Sequence, residues 1–149
     1  MAPSTIILSS YEQDYLLWIE ETVDQLRSKN FDRLDVENLI EEVLDLGRSQ
    51  KRELKSRLGE LLEHLLKRIY VTMPDCYRGW VESIIKQRKA LKDLLADSPS
   101  LKPYFLEVFD SSYQYALDIV RNSYPQFCFP EQWPLEQDID ALLTFRFWE

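Results

Sequence analysis

The chain has 149 residues, of which 45% are hydrophobic and 30% charged, with 3 Gly and 7 Pro. That length suits one domain, 1–149, with a real core, and the composition excludes a low-complexity or disordered chain. No run nears the roughly 18 apolar residues of a membrane-spanning helix. Met1 to Leu8 has no basic region and three consecutive apolar residues, so no export signal is expected and the reading is cytoplasmic. With 18 Lys and Arg against 26 Asp and Glu, the formal charge is −8, which disfavours bulk nucleic acid and anionic membrane surfaces.

Sheet has little support, because no alternating apolar run occurs. Ser10 reads as an N-cap, with Gln13 completing a capping box. Tyr11, Tyr15, Trp18, Ile19, Thr22, Val23 and Leu26 then recur at helical spacing. Arg27 and Lys29 suit the negative helix end, and Asn30 is the expected left-handed stop. Asp35 is the next N-cap, with Leu34 and Leu39 placed as a hydrophobic staple.

From Gly47 to Glu53 nothing is apolar. Stepping by threes and fours gives Val36, Leu39, Val43, Leu46, Gln50, Leu54, Leu58, Leu61, Leu65 and Ile69, so the stripes on either side are in phase. One long helix is expected, its polar middle in solvent or against a polar partner. A break at Gly47 is the alternative, since glycine costs about 1 kcal/mol in a helix interior.

Met73-Pro74 ends that element, and Asp75 is expected to cap a third helix carrying Trp80, Val81, Ile84, Ile85, Arg88, Leu91, Leu94 and Leu95. Ser98 and Pro99 are the expected N-cap and first position of a fourth. Its stripe runs from Leu101 through Tyr104, Phe105, Val108, Phe109, Tyr115, Ala116 and Ile119 to Val120. A short helix from Pro134 to Leu143 and an aromatic tail, Phe145 to Trp148, complete the chain. The fold class is therefore all-α, an up-and-down bundle of four main helices plus a short C-terminal one.

Cys76 and Cys128 form no CxxC pair, so buried, reduced and inert thiols are expected. His64, the only histidine, follows Glu60 by one turn, a spacing that can place two metal ligands on one face. Helical bundles build two-metal centres from Glu-x-x-His pairs. Here the spacing differs and a second histidine is lacking, so a histidine packed between leucines is preferred and no cofactor is implied. Asp32 to Asp45 carries six acids and one base, and Arg48 to Arg57 carries five bases and one acid. Such runs are usually solvated helix faces. Their position beside a non-apolar gap makes them, in the sharper reading, a docking surface for another protein.

If the first helix packs on the start of the second, Asp14, Trp18, Glu37, Asn38, Glu41 and Arg48 converge, and Glu37 with Glu41 can do acid–base work if buried. No nucleophile motif, phosphate-binding loop or dinucleotide fingerprint is present. The sequence therefore leans away from an enzyme.

The segments Tyr11-Glu12-Gln13-Asp14-Tyr15 with Trp18, Leu34 to Glu42 running into Leu46-Gly47-Arg48-Ser49, and Lys51-Arg52-Glu53-Leu54 form a distinctive set. His64-Leu65-Leu66-Lys67, Trp80, Gln87-Arg88 and Asp97 to Leu101 extend it. On these the chain resembles a bacterial family, common in cyanobacteria, called domain of unknown function 29. The resemblance implies an all-helical bundle and no activity. Arg68-Ile69-Tyr70 stands where similar sequences tend to have Trp, and Met73 to Cys76 where a more basic connector is usual.

The leading expectation is a protein-interaction module with an unidentified protein partner and no nucleic acid, binding through Asp14, Glu37, Glu41, Arg48, Lys51 and Arg52. A homo-oligomer is compatible with it. The alternative is a metal- or small-molecule-binding protein or enzyme with a polar site around His64, Glu60, Asp14, Glu37 and Glu41.

Overall fold

The computed structural model describes residues 10–149. The expectation about an export signal at Met1 to Leu8 lies outside them. Among the described residues there are seven α-helices and no strand, an all-α bundle as the periodicity requires. They are α1 (Ser10–Gln13), α2 (Tyr15–Arg27), α3 (Val36–Tyr70), α4 (Pro74–Asp97), α5 (Lys102–Glu107), α6 (Phe109–Ser123) and α7 (Ile139–Thr144). None is long and apolar enough to cross a membrane. The chain forms two compact units, divided between Gly47 and Arg48, with α3 contributing to both.

In the N-terminal unit the helix starts later than Ser10 suggests. Ser10 to Gln13 makes a single turn, and Asp14, with extended backbone, is the true N-cap: its carboxylate accepts from the Leu17 N–H at 3.1 Å. An Asp carboxylate satisfies one of the four orphan N–H groups and opposes the positive helix end. At the far end Lys29, not Asn30, takes the left-handed conformation (φ 58°). The Asn30 N–H then returns to the Gln25 carbonyl at 2.9 Å and the Lys29 N–H to Leu26 at 3.2 Å. This is a Schellman closure, and its bonds offset the strain of a side chain at positive φ. Asp35 accepts from the Asn38 N–H at 3.4 Å and from its amide Nδ2 at 2.7 Å, as a cap at that position should.

Helix α3 continues through Gly47 without a break. A Cβ at Gly47 would meet nothing within 4 Å, so no packing demand explains the glycine. Residues 47–53 are all exposed, as the gap in the stripe predicts, but Val43, Leu44 and Leu46, which belong to the stripe, are exposed as well.

The C-terminal unit holds the core. Leu54, Leu58, Leu61, Leu62, Leu65 and Leu66 of α3 are fully buried. Their cluster includes Trp80, Ile84, Leu91 and Leu95 of α4, Phe105 of α5, Phe109, Tyr113, Ala116, Leu117 and Val120 of α6, and Leu142 of α7. Three boundaries depart from expectation. Met73 occupies the N-cap of α4, with Pro74 at its first position and Asp75 inside the first turn, because Pro presets the helical φ and needs no N–H partner there. The expected fourth helix is a 3-10 turn (Pro99–Leu101), then α5 and α6 divided at Val108. The last helix starts at Ile139 rather than Pro134, because Asp138 caps it through the Ala141 N–H at 3.3 Å.

Arg88 is the one charged side chain buried in this core. Its Nε donates to the Leu142 carbonyl at 2.9 Å and its Nη2 to the Phe145 carbonyl at 2.6 Å. Both are carbonyls at the C-terminal end of α7 or just beyond it. One guanidinium thus ties α7 and the tail to α4, with Trp148 5.9 Å from its carbon. Burial lowers its pKa from 12.5 to about 10, still protonated at neutral pH. The tail folds onto the core through Phe147 and Trp148. The thiols are free, but the expectation that both are buried fails: Cys76 is half-buried and Cys128 is exposed, standing beyond α6 in an irregular segment.

Candidate docking groove in the N-terminal unit

Among its described residues the N-terminal unit is a helical hairpin, α2 against the first turns of α3, and the side chains buried among them are Trp18 and Thr22. Trp18 is covered edge-on by Tyr11, ring centroids 4.9 Å apart, and stacked by Tyr15 at 6.0 Å. Both phenols donate to Glu42, Tyr11 to Oε1 and Tyr15 to Oε2, each at 2.5 Å. One carboxylate therefore fastens α1 and the start of α2 to α3. The hydrogen bond to Glu42, with its charge, raises the Tyr11 pKa from 10.0 to about 12 and raises that of Tyr15.

Beside this clasp runs an open groove of about 250 Å³, walled by Tyr15, Trp18, Ile19, Thr22, Val23, Leu26, Leu39, Glu42, Val43 and Leu46. It is almost wholly apolar. The indole Nε1 of Trp18, buried in its wall, has no acceptor among the described residues, an arrangement that ordinarily costs about 1–3 kcal/mol. The apolar surface extends past the groove: Leu46 is 71% exposed, Val43 59%, Val36 49% and Ile40 48%. Contiguous exposed apolar surface is a common feature of protein, membrane and ligand interaction sites.

Charge is divided as sharply as packing. Residues 1–47 contain 11 Asp and Glu against 3 Lys and Arg, so the whole formal −8 resides there. Residues 48–149 contain 15 of each and are formally neutral.

Of the residues singled out from sequence, Asp14 is the α2 cap, Glu37 and Glu41 are exposed on the first turns of α3, and neither carboxylate is buried as acid–base work requires. Arg48 is exposed in the polar middle of α3, where Lys51 lies over the Tyr104 ring at 5.4 Å. His64 is half-buried, its Nδ1 donating to the Glu60 carbonyl at 2.8 Å. The Glu60 carboxylate turns to the Gln87 amide instead, so Glu60 and His64 are not presented as a ligand pair. Among the described residues no three His, Cys, Asp or Glu side chains come together as a metal set. Periodicity alone does not reveal the Tyr11–Tyr15–Glu42 clasp. Its one local signal is the pair of tyrosines a turn apart, seven and three residues before Trp18.

Arg52 borders a second groove, of about 390 Å³, with Lys55, Ser56, Gly59 and Glu60 of α3 and Ser111, Ser112 and Tyr115 of α6. Neither cation is paired with a carboxylate among the described residues, and the buried Ser112 hydroxyl has no partner. The absence of a side chain at Gly59 admits the Tyr115 ring, which a Cβ there would touch at 3.4 Å.

These features define an all-α protein with a well-packed C-terminal bundle and an acidic, open helical hairpin. The chain belongs to the family described as domain of unknown function DUF29, whose pattern matches residues 10–148. No curated protein and no solved structure matches it.

Proposed function

We propose that this chain is a protein-interaction module whose docking element is the N-terminal hairpin, and that its occupant is a segment of a different protein. The observation that carries this reading is the exposed apolar strip of α2 and α3, where two side chains among the described residues of the unit, Trp18 and Thr22, are buried. An apolar strip exposed in this way gains buried area when another chain covers it. Of the candidate residues, Glu37 and Glu41 belong to the rim of that surface, with Arg48, Lys51 and Arg52 in the exposed stretch that follows. We read the two units as one domain, on the ground that α3 serves both and one family pattern spans both.

The test places a photo-crosslinking residue at Ile40 in cells, identifies the adduct, and repeats binding with the purified partner. Val43→Asp, at an exposed site, is expected to abolish both adduct and purified binding while leaving the helical content unchanged. Ile85→Asp, on the exposed face of α4, is expected to leave both intact. Binding that survives Val43→Asp refutes the reading.

A second reading, small-ligand binding, is favoured by the Arg52–Lys55–Ser56 edge and the unpartnered Ser112 hydroxyl. Two unpaired cations beside an aromatic ring suit a small phosphorylated aromatic molecule. Phenyl phosphate titrated into the protein tests it: saturable binding lost in Arg52→Glu with Lys55→Glu is the expected result, and no binding at millimolar probe refutes it.

A further inference from the structure

The rim of the groove specifies the chemistry of its occupant. At about 100° per residue, Val36, Ile40, Val43 and Leu44 share one side of α3, and Glu37, Glu41 and Asp45 follow on the adjoining side. On α2 the strip Tyr15, Ile19, Val23 and Leu26 is bordered by Glu20, with Asp24 and Glu21 beyond it. Between Asp14 and Asp45 the bases are Arg27, Lys29 and Arg33, all in the last turn of α2 or the connection to α3. The apolar strip is therefore edged by carboxylates along both helices, and the cations sit at one end.

We infer that the occupant is an amphipathic helix of another protein, apolar along one stripe and carrying Lys or Arg on both sides of it. This inference rests on the docking reading above. A helix fits because both walls are helices whose backbone groups are already paired, so an extended peptide would find no sheet edge to pair with. Tyr15 to Leu26 spans about three turns, matching an occupant whose apolar residues recur at i, i+3, i+4 and i+7 over a similar length. Basic flanks then meet Glu20 on one side and Glu37 on the other, which speeds encounter and fixes the register.

A second copy does not meet these requirements. A symmetric pairing of two hairpins would bring one −8 unit against another. A head-to-tail pairing needs a segment of this chain that is basic and also exposes apolar residues. The basic run Arg48 to Arg57 has one large apolar residue, Leu54, and it is fully buried, while the basic stretch Ile85 to Lys92 of α4 exposes one, Ile85, too little to fill a strip about three turns long.

Three peptides of about 18 residues with one shared apolar stripe test the inference. They carry Lys, Gln or Glu at the flanking positions and are titrated into the full chain by fluorescence anisotropy. The Lys peptide is expected to bind about tenfold or more tighter than the Gln peptide at low salt, with the Glu peptide weakest. The gap should close as salt is added. Val43→Asp should abolish binding, and Glu20→Lys with Glu37→Lys should reverse the order of the Lys and Glu peptides.

Equal binding of all three overturns the basic requirement and leaves the docking reading standing. If none binds while the crosslinked partner is still lost in Val43→Asp, the occupant is not such a helix, although the hairpin still docks. A concentration-dependent dimer in sedimentation, abolished by Val43→Asp, makes a second copy the occupant and overturns the inference. If no peptide binds and purified partner binding survives Val43→Asp, inference and docking reading fall together.

Discussion

Replacing Arg88 by Met keeps the length and apolar stem of the side chain and removes its two charged hydrogen bonds. Each bond from a charged donor to a carbonyl contributes about 1.5–3 kcal/mol. The variant also leaves the Leu142 and Phe145 carbonyls to find water or remain unpaired. Relief from burying a cation, the burial that lowers the Arg88 pKa to about 10, offsets part of that loss. A net destabilisation of about 2–4 kcal/mol follows. In a unit of this size each kcal/mol moves the midpoint by about 4–8 °C, so Tm should fall by roughly 10–25 °C. Thermal melts followed by tryptophan fluorescence measure it, since Trp80, Trp133 and Trp148 all belong to the same unit. Arg88→Lys keeps the charge but lacks the planar fork, and should lose about half as much. A Met variant within 1 kcal/mol of the parent, or a Lys variant equal to it, refutes the idea that a two-pronged guanidinium holds α7 and the tail in place.

The tyrosine clasp carries a pH signature. Because Tyr11 is raised to about 12, its contribution to stability is fully present below the unfolded pKa near 10. It is lost as pH rises towards 12; spectrophotometric titration should show Glu42→Gln returning both phenols towards 10, and an unchanged titration would disprove the clasp. Lys29→Gly should stabilise the hairpin by about 0.5–1 kcal/mol, since glycine occupies positive φ without strain, and a denaturation midpoint that drops would contradict it. Gly47→Ala should add about 0.5–1 kcal/mol of helix stability, there being open space for the methyl group. Slower amide hydrogen exchange around residue 47 is the readout, and faster exchange would mean that the glycine serves a bend.

Helix existence was legible because the leucine stripe of α3 and the aromatic stripe of α2 repeat at helical spacing. The exposure of Val36, Val43 and Leu46 was not, because periodicity marks an apolar face without saying what packs on it. Boundaries failed where two caps competed: Asp14 over Ser10, Asp138 over Pro134, Lys29 over Asn30. The burial of Arg88 followed from its register with Ile84 and Leu91. Its partners lie 54 and 57 residues away, a separation no local pattern encodes. The clasp failed to show for the same reason, Glu42 being 31 and 27 residues from its two phenols.

That α3 serves both units has a consequence for how the molecule opens. Its second half is anchored by six fully buried leucines, whereas among the described residues its first two turns lean on a clasp and a single tryptophan. Unfolding should therefore proceed from the start of α3 inward, with the hairpin as the least protected cooperative segment and residues 54–66 exchanging only on global unfolding. Any occupant of the groove then acts as a thermodynamic brake on that first opening. At a hundredfold excess over its Kd it deepens the hairpin's protection by about 2.7 kcal/mol, so the exchange rates of α2 amides report occupancy directly, whatever the bound segment is.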